Sequence, residues 1–285
     1  MKYLAAKYPN IELSGASDAI NKYCIIDTKG PGGLFANFYR LIYGIYICIM
    51  EEITPIIQMN GSKYLYYQGE YGENIFYYYY KKRGGIKPAA TKDTPIMIVI
   101  CPDVFIRWCR ISISEKKMAN FIIDQFFQLR KSIDNIINTF VKVRFGPNRV
   151  LGFHYRGRDK VNESAIAPFE EYDKIIDDLL SKKICDLVFF CSDELDLREG
   201  LQNKYGDKLL LYDLEANYYF HRSSDENLKI GLHFNSPTPY LQGKDSLIEC
   251  YLLSKCDMLL SSSNSSFSLF ATFINPRIPH IILNA

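Results

Sequence analysis

From residue 150 onward the chain alternates short apolar runs with stretches whose apolar positions recur every three or four residues. The runs predict strands at 150–155, 186–191, 208–212, 257–261 and 280–283, and the stretches between them predict helices at 169–182, 194–205, 245–255 and 265–273. Strands this short, each followed by an amphipathic helix, require crossover connections. The sheet should therefore be parallel and covered by helices on both faces, a Rossmann-like half whose ligands bind beyond the carboxyl ends of the strands.

Before residue 146 the pattern differs. Ser112 and Glu115 are spaced as a capping box, and Met118, Ile122, Phe126, Leu129, Ile133, Ile136 and Phe140 follow as one helical stripe. The breaker "RFGPNR" at 144–149 ends it, so two lobes are expected, 1–146 and 147–285. The first lobe also carries "KGPGGLFANFYRLIYGIYICIMEE", Lys29 to Glu52, a glycine-rich loop directly before a long apolar helix. Unpaired backbone N–H groups there could meet an anion, although the spacing is neither GxGxxG nor a P-loop. The tyrosine-rich stretch at 64–80 suits core and edge packing, with sugar stacking as the alternative.

Composition adds bounds. The 285 residues suffice for one large or two ordinary domains, and 48% hydrophobic with 23% charged residues is typical of a globular protein. A net charge of +2 demands neither nucleic acid nor a membrane surface as partner. The start lacks the apolar core of a signal peptide, and no window reaches a membrane-spanning length, so a cytoplasmic protein without a transmembrane segment is expected. The eight cysteines have no zinc-type spacing and are expected to be buried thiols.

The candidate chemistry follows the strands. "VLGFHYRGRDKV" puts His154 and Arg156 on one face at the first strand's end, where a planar guanidinium and an imidazole could clamp a diphosphate. Gly157 permits a sharp turn, and Asp159 could pair with Arg156 or Arg158. Ser192 and Asp193 follow the second strand, Asp213 the third, and "SSSNSS" the fourth, where a hydroxyl could cap the helix or its N-terminus could attract phosphate. Glu249 lies beside the apolar face of the helix at 245–255, either as an exposed residue or as part of a site. No DxD dyad or other metal-ligand cluster stands near the clamp.

The ordered set "HYRGRDKV" with "APFEEYDKIIDDL", then "FFCSDE", then "SLIECYLLSKCDMLLSSSNSSFS" resembles the fucosyltransferases of the nodulation, core alpha-1,6 and alpha-1,2 groups, over roughly residues 150–283 and more faintly at "GPGGLFANF". The resemblance implies an α/β protein of GT-B-like fold with two Rossmann-like lobes, the first on the acceptor side and the second holding the nucleotide sugar. It implies an inverting, metal-independent transfer of fucose from GDP-fucose to a glycan acceptor. Carried over by position, Arg156 is the catalytic arginine on the donor diphosphate, with His154 its companion. Asp193, Asn264, Ser265, Ser266 and the loop residues Gly32, Gly33 and Asn37 are donor-binding candidates, and Glu249 matches the acid that reads guanine. Asp159 and Glu163 are the candidates for the base.

The chain also departs from these enzymes. Gly157 stands where core and alpha-1,2 enzymes usually have a second arginine, and Ser164 aligns with the core-type base. A transferase using another nucleotide sugar, or a nonenzymatic nucleotide- or glycan-binding module of the same fold, are the alternatives.

Overall fold

A computed structural model describes residues 7, 11–14, 23–28, 30, 32–82, 96–100, 112–156, 167–217, 219, 236–262 and 265–283. The chain divides into two compact units, Met1–Arg130 and Lys131–Ala285. Residues 131–146 thus group with the second unit.

In the first unit, strands β1 (Ile11–Ser14), β2 (Tyr23–Asp27), β3 (Thr54–Ile57) and β4 (Ile96–Ile100) form a sheet of order β1-β4-β2-β3. β2 runs parallel to both its neighbours, and β1 is antiparallel to β4. Helix α1 (Leu34–Met50) lies against β2 so closely that a Cβ on Gly44 would sit 2.6 Å from Ile26 Cγ2. The long apolar run after the glycine loop forms this helix because nearly all its turns are buried. A single helical turn α2 (Phe76–Tyr79) completes an aromatic cluster in which Phe76 meets Tyr80 at 4.7 Å and Phe127 at 5.1 Å, with Phe38 at 6.2 Å. Tyr78, Tyr79 and Tyr80 are buried, so this tyrosine run is core.

The expected single helix over 112–140 is two helices, α3 (Ile113–Phe126) and α4 (Lys131–Phe140). The capping box forms as read, with Ser112 Oγ accepting from the Glu115 backbone and the Glu115 side chain accepting from the Ser112 backbone. The helix stops because 128–130 pairs with 79–81 instead. Lys81 N donates to Gln128 O at 2.7 Å, and Arg130 N donates to Tyr79 O at 2.9 Å. Backbone bonds to a distant segment outcompete the apolar stripe.

The second unit is the parallel sheet expected from the alternation. β5 (Val150–His154), β6 (Leu187–Cys191), β7 (Leu209–Leu210), β8 (Met258–Ser262) and β9 (His280–Leu283) lie in the order β7-β6-β5-β8-β9, every pair parallel. Helices α5 (Phe169–Ser181) and α6 (Leu195–Tyr205) cover one face, α7 (Pro239–Ser254) and α8 (Ser266–Ile274) the other. Phe153 faces the first pair, with its ring 5.4 Å from Tyr172, and the adjacent Gly152 and His154 face the second. A Cβ on Gly152 would lie 3.0 Å from Cys256 Sγ and Leu253 Cδ2, so side chains at and just beyond the end of α7 pack directly on this strand's backbone. The six described cysteines, Cys24, Cys48, Cys185, Cys191, Cys250 and Cys256, are buried free thiols. Among the described residues no helix is long and apolar enough to cross a membrane.

Candidate functional site

β5 is the central strand, and its register sets His154 beside Cys191 of β6 and Ser261 of β8. The polar clusters that follow these three strands therefore meet at one sheet edge. His154 is buried, its ring 4.5 Å from Phe267 and its Nδ1 2.7 Å from Ser268 Oγ. Ser268 belongs to the first turn of α8, and its backbone N–H is received by Ser265 Oγ, the N-cap. The expected cap thus forms at Ser265, and Ser266 opens the helix half-buried. Arg156, half-buried, donates its backbone N–H to Ser262 Oγ at 3.4 Å. The Arg156 backbone is tied to the end of β8 and the His154 ring to the first turn of α8, both by contacts spanning more than a hundred residues of chain.

Beside this group lies a second one. Glu249, on α7, is buried rather than exposed, which removes the reading of it as a solvent-facing helix residue. Arg198 of α6, also buried, donates from Nη1 to Glu249 Oε1 at 3.2 Å and to Ser192 O at 3.5 Å, and from Nη2 to Tyr212 O at 2.7 Å. The Tyr219 ring lies over the guanidinium at 5.2 Å. Burial pushes the Glu249 carboxyl from 4.5 up to about 7 while Arg198 pulls it back, so the group titrates near neutrality. Asp245, one turn earlier, accepts from Ala216 N at 2.7 Å and is pushed by burial from 3.8 to about 6. Asp193 is half-buried and adds its charge to the field at Glu249, whereas Asp213 is exposed.

The glycine loop of the first unit is held from inside. Asn37 Nδ2 donates to Gly32 O at 3.0 Å and Gly33 O at 3.2 Å, while its Oδ1 accepts from Thr28 Oγ1 at 3.0 Å and Arg40 Nη1 at 3.4 Å. With 1% of its surface exposed, Asn37 positions the loop. Gly33 caps α1 at φ −56° and a Cβ there would meet nothing within 4 Å. The glycine that the backbone requires is Gly30, at φ +38° with a notional Cβ 2.6 Å from Lys63 O.

Asp159, Glu163 and Asn264 lie outside the described residues, as do Gly157, Arg158 and Ser164. Arg198, Ser268 and Tyr219 are the additions. Arg198 carries one faint sequence signal, since it sits between Leu197 and Leu201 on the buried side of α6. Among the described residues no three His, Cys, Asp or Glu side chains are grouped to hold a metal ion.

No protein-family model and no curated protein matches the chain. Solved structures do. The fucosyltransferase NodZ from Bradyrhizobium is similar with a TM-score of 0.57 at 14% identity, over 91% of this chain and 96% of that one. The NodZ alpha-1,6-fucosyltransferase soaked with GDP-fucose is similar with a TM-score of 0.54 at 14% identity, over 90% and 94%. A mutant of Arabidopsis thaliana FUT1 in complex with GDP is similar with a TM-score of 0.55 at 12% identity, over 99% of this chain and 74% of that one. At these identities the likeness is one of fold, and the chain has the fucosyltransferase-type GT-B fold.

Proposed function

We propose that this chain is an inverting glycosyltransferase that moves fucose from GDP-fucose to a glycan acceptor without a metal ion. The observation that carries the reading is the convergence of Arg156, His154 and the first turn of α8 at the end of the central strand. It lies on a fold shared with a NodZ structure soaked with GDP-fucose. As the anomeric C–O bond breaks, negative charge grows on the departing diphosphate. In this reading the Arg156 guanidinium and the N-terminal amides of α8 receive that charge. His154, fixed by Ser268 and Phe267, orients that first turn and stands as the companion of Arg156.

Glu249 supplies the base reading. An ionised carboxylate offers two acceptors, and guanine presents N1–H and N2–H side by side, a donor pair that uracil and adenine lack. Asp159 and Glu163 are the proposed bases for the acceptor hydroxyl, which attacks from the face opposite the leaving group and so inverts the anomeric centre. In this reading the second unit holds the donor and the first serves the acceptor side, with Gly32, Gly33 and Asn37 as proposed donor-binding residues.

The test is turnover with labelled GDP-fucose and a glycan panel, in EDTA. Arg156→Lys keeps a charge and loses the planar fork, so turnover is expected to fall on the order of a hundredfold. A folded Arg156→Lys enzyme at parental turnover refutes the clamp. Activity that disappears in EDTA and returns with Mn2+ refutes the metal-free mechanism. GDP binding with no sugar released from any nucleotide sugar would make the chain a binding module.

A further inference from the structure

Arg198 is costly to bury, and its bonds are distributed unusually. Its guanidinium reaches backbone carbonyls at two places on the sheet's carboxyl edge, Ser192 after β6 and Tyr212 after β7, and then takes a single oxygen of Glu249. A pair that served stability alone gains most from bidentate geometry, and replacing it by apolar side chains is often neutral. Here the carboxylate is held by Oε1, and no described residue bonds Oε2. The Glu249 side chain keeps 9% exposure, the arginine beneath it 5%.

The surroundings otherwise favour the neutral acid. Asp245 from its own helix and Asp193 from the β6–α6 turn both raise the Glu249 carboxyl, as burial does, and Arg198 opposes them. Among the described residues, Tyr212 and Tyr219 from the segment after β7, with Cys191 of β6 and Cys250 of α7, also lie within its field. Protonation matters because a neutral carboxyl presents an O–H donor where a ligand's N–H pair needs two acceptors.

We infer that Arg198 is a positioning residue for recognition of the donor base: it holds Glu249 in the charged form through one lone pair of Oε1, and leaves Oε2 and the second lone pair of Oε1 to the ligand's N–H pair. The inference rests on the donor reading given above. It assigns discrimination among purine diphosphates to a side chain that need not touch the nucleotide.

Calorimetric titration of GDP and inosine diphosphate, which lacks the N2–H donors, between pH 6 and 8.5 decides it. In the parent, GDP affinity is expected to rise as pH climbs through about 7, with GDP preferred over inosine diphosphate about tenfold, the scale of one hydrogen bond to a charged group. Arg198→Met should weaken GDP at pH 7 about tenfold or more, move the pH midpoint upward, and bring the two nucleotides to within about twofold of each other. Arg198→Lys, which keeps a charge, should lie between, and it carries the same measurement if the methionine variant does not fold. Variants that weaken both nucleotides equally and keep the parental midpoint make Arg198 merely structural and overturn the inference, with the donor reading intact. A parent indifferent to GDP at every pH sinks the donor reading and the role of Arg198 together.

Discussion

Each unit keeps a buried polar cluster at the end of a parallel strand, and the two are built on opposite plans. Around Asn37 the bonds are short in sequence, reaching three, four, five and nine residues along the chain, and its partners Gly32, Gly33 and Thr28 are neutral while the fourth, Arg40, carries a charge that does not titrate in the working range. Around Arg198 they reach six, fourteen and fifty-one residues and end on a carboxylate. The first plan fixes the shape of a loop and is indifferent to pH. The second ties three elements together, and its strength depends on whether one proton is bound.

The largest expected difference is in stability. Arg198→Met leaves Glu249 buried without its cation and should cost about 3–5 kcal/mol at pH 8, whereas Asn37→Ala should cost about 1–3 kcal/mol. Urea unfolding of both variants measures this, and equal losses would erase the contrast between the plans.

A smaller effect is proton-linked. Glu249 holds its proton in the folded chain up to about 7, against 4.5 when unfolded, so between those values the folded state binds more protons. Its contribution to stability therefore declines as pH rises from 4.5 to 7 and is constant above, by at most about 3 kcal/mol. Glu249→Gln should flatten that part of the stability profile and Asn37→Ala should leave it unchanged. A profile equally steep in Glu249→Gln would move the titration to another group, with Asp245 next in line.

The smallest effects sharpen the loop side of the comparison. Gly30→Ala meets both a left-handed backbone and the Lys63 carbonyl, and should destabilise by about 1–3 kcal/mol. Gly33→Ala has room and should change stability by less than about 0.5 kcal/mol. Thermal unfolding distinguishes them, and a Gly33→Ala protein that folds normally yet loses acceptor turnover would tie the loop to chemistry.

The same distinction between local and distant contacts governs how much the sequence discloses. Strands β5, β6 and β9 and helices α5, α6 and α8 lie within about a residue of the pattern's expectation, because burial on both sheet faces writes itself into a short apolar run or a periodic stripe. The break at 127–130 was not legible, since what ends α3 is a pairing with Tyr79 and Lys81 far upstream. Helix α7 starts at Pro239, ahead of the expected 245, because Gln242, Gly243 and Lys244 interrupt the stripe although proline at a first helical position marks the start. His154 and Arg156 stand out as charged or polar residues closing an apolar run, and Ser265 as part of a serine-rich run just ahead of one. Arg198 barely does: within "LDLREGLQNKY" only its place between Leu197 and Leu201 hints at burial, and its meaning depends on Glu249 fifty-one positions later.

The order of strands has a consequence for synthesis of the chain. β5 is made early in its unit, yet its partner on one side is β8, and the bonds from His154 to Ser268 and from Arg156 to Ser262 span 114 and 106 residues. A nascent chain can pair β5 with β6 and cover them with α5 and α6 while the other side of the central strand is still bare. The residues that complete the proposed clamp emerge more than a hundred residues after β5, so this unit acquires its structure gradually and its proposed diphosphate site only once β8 and the first turn of α8 have been made.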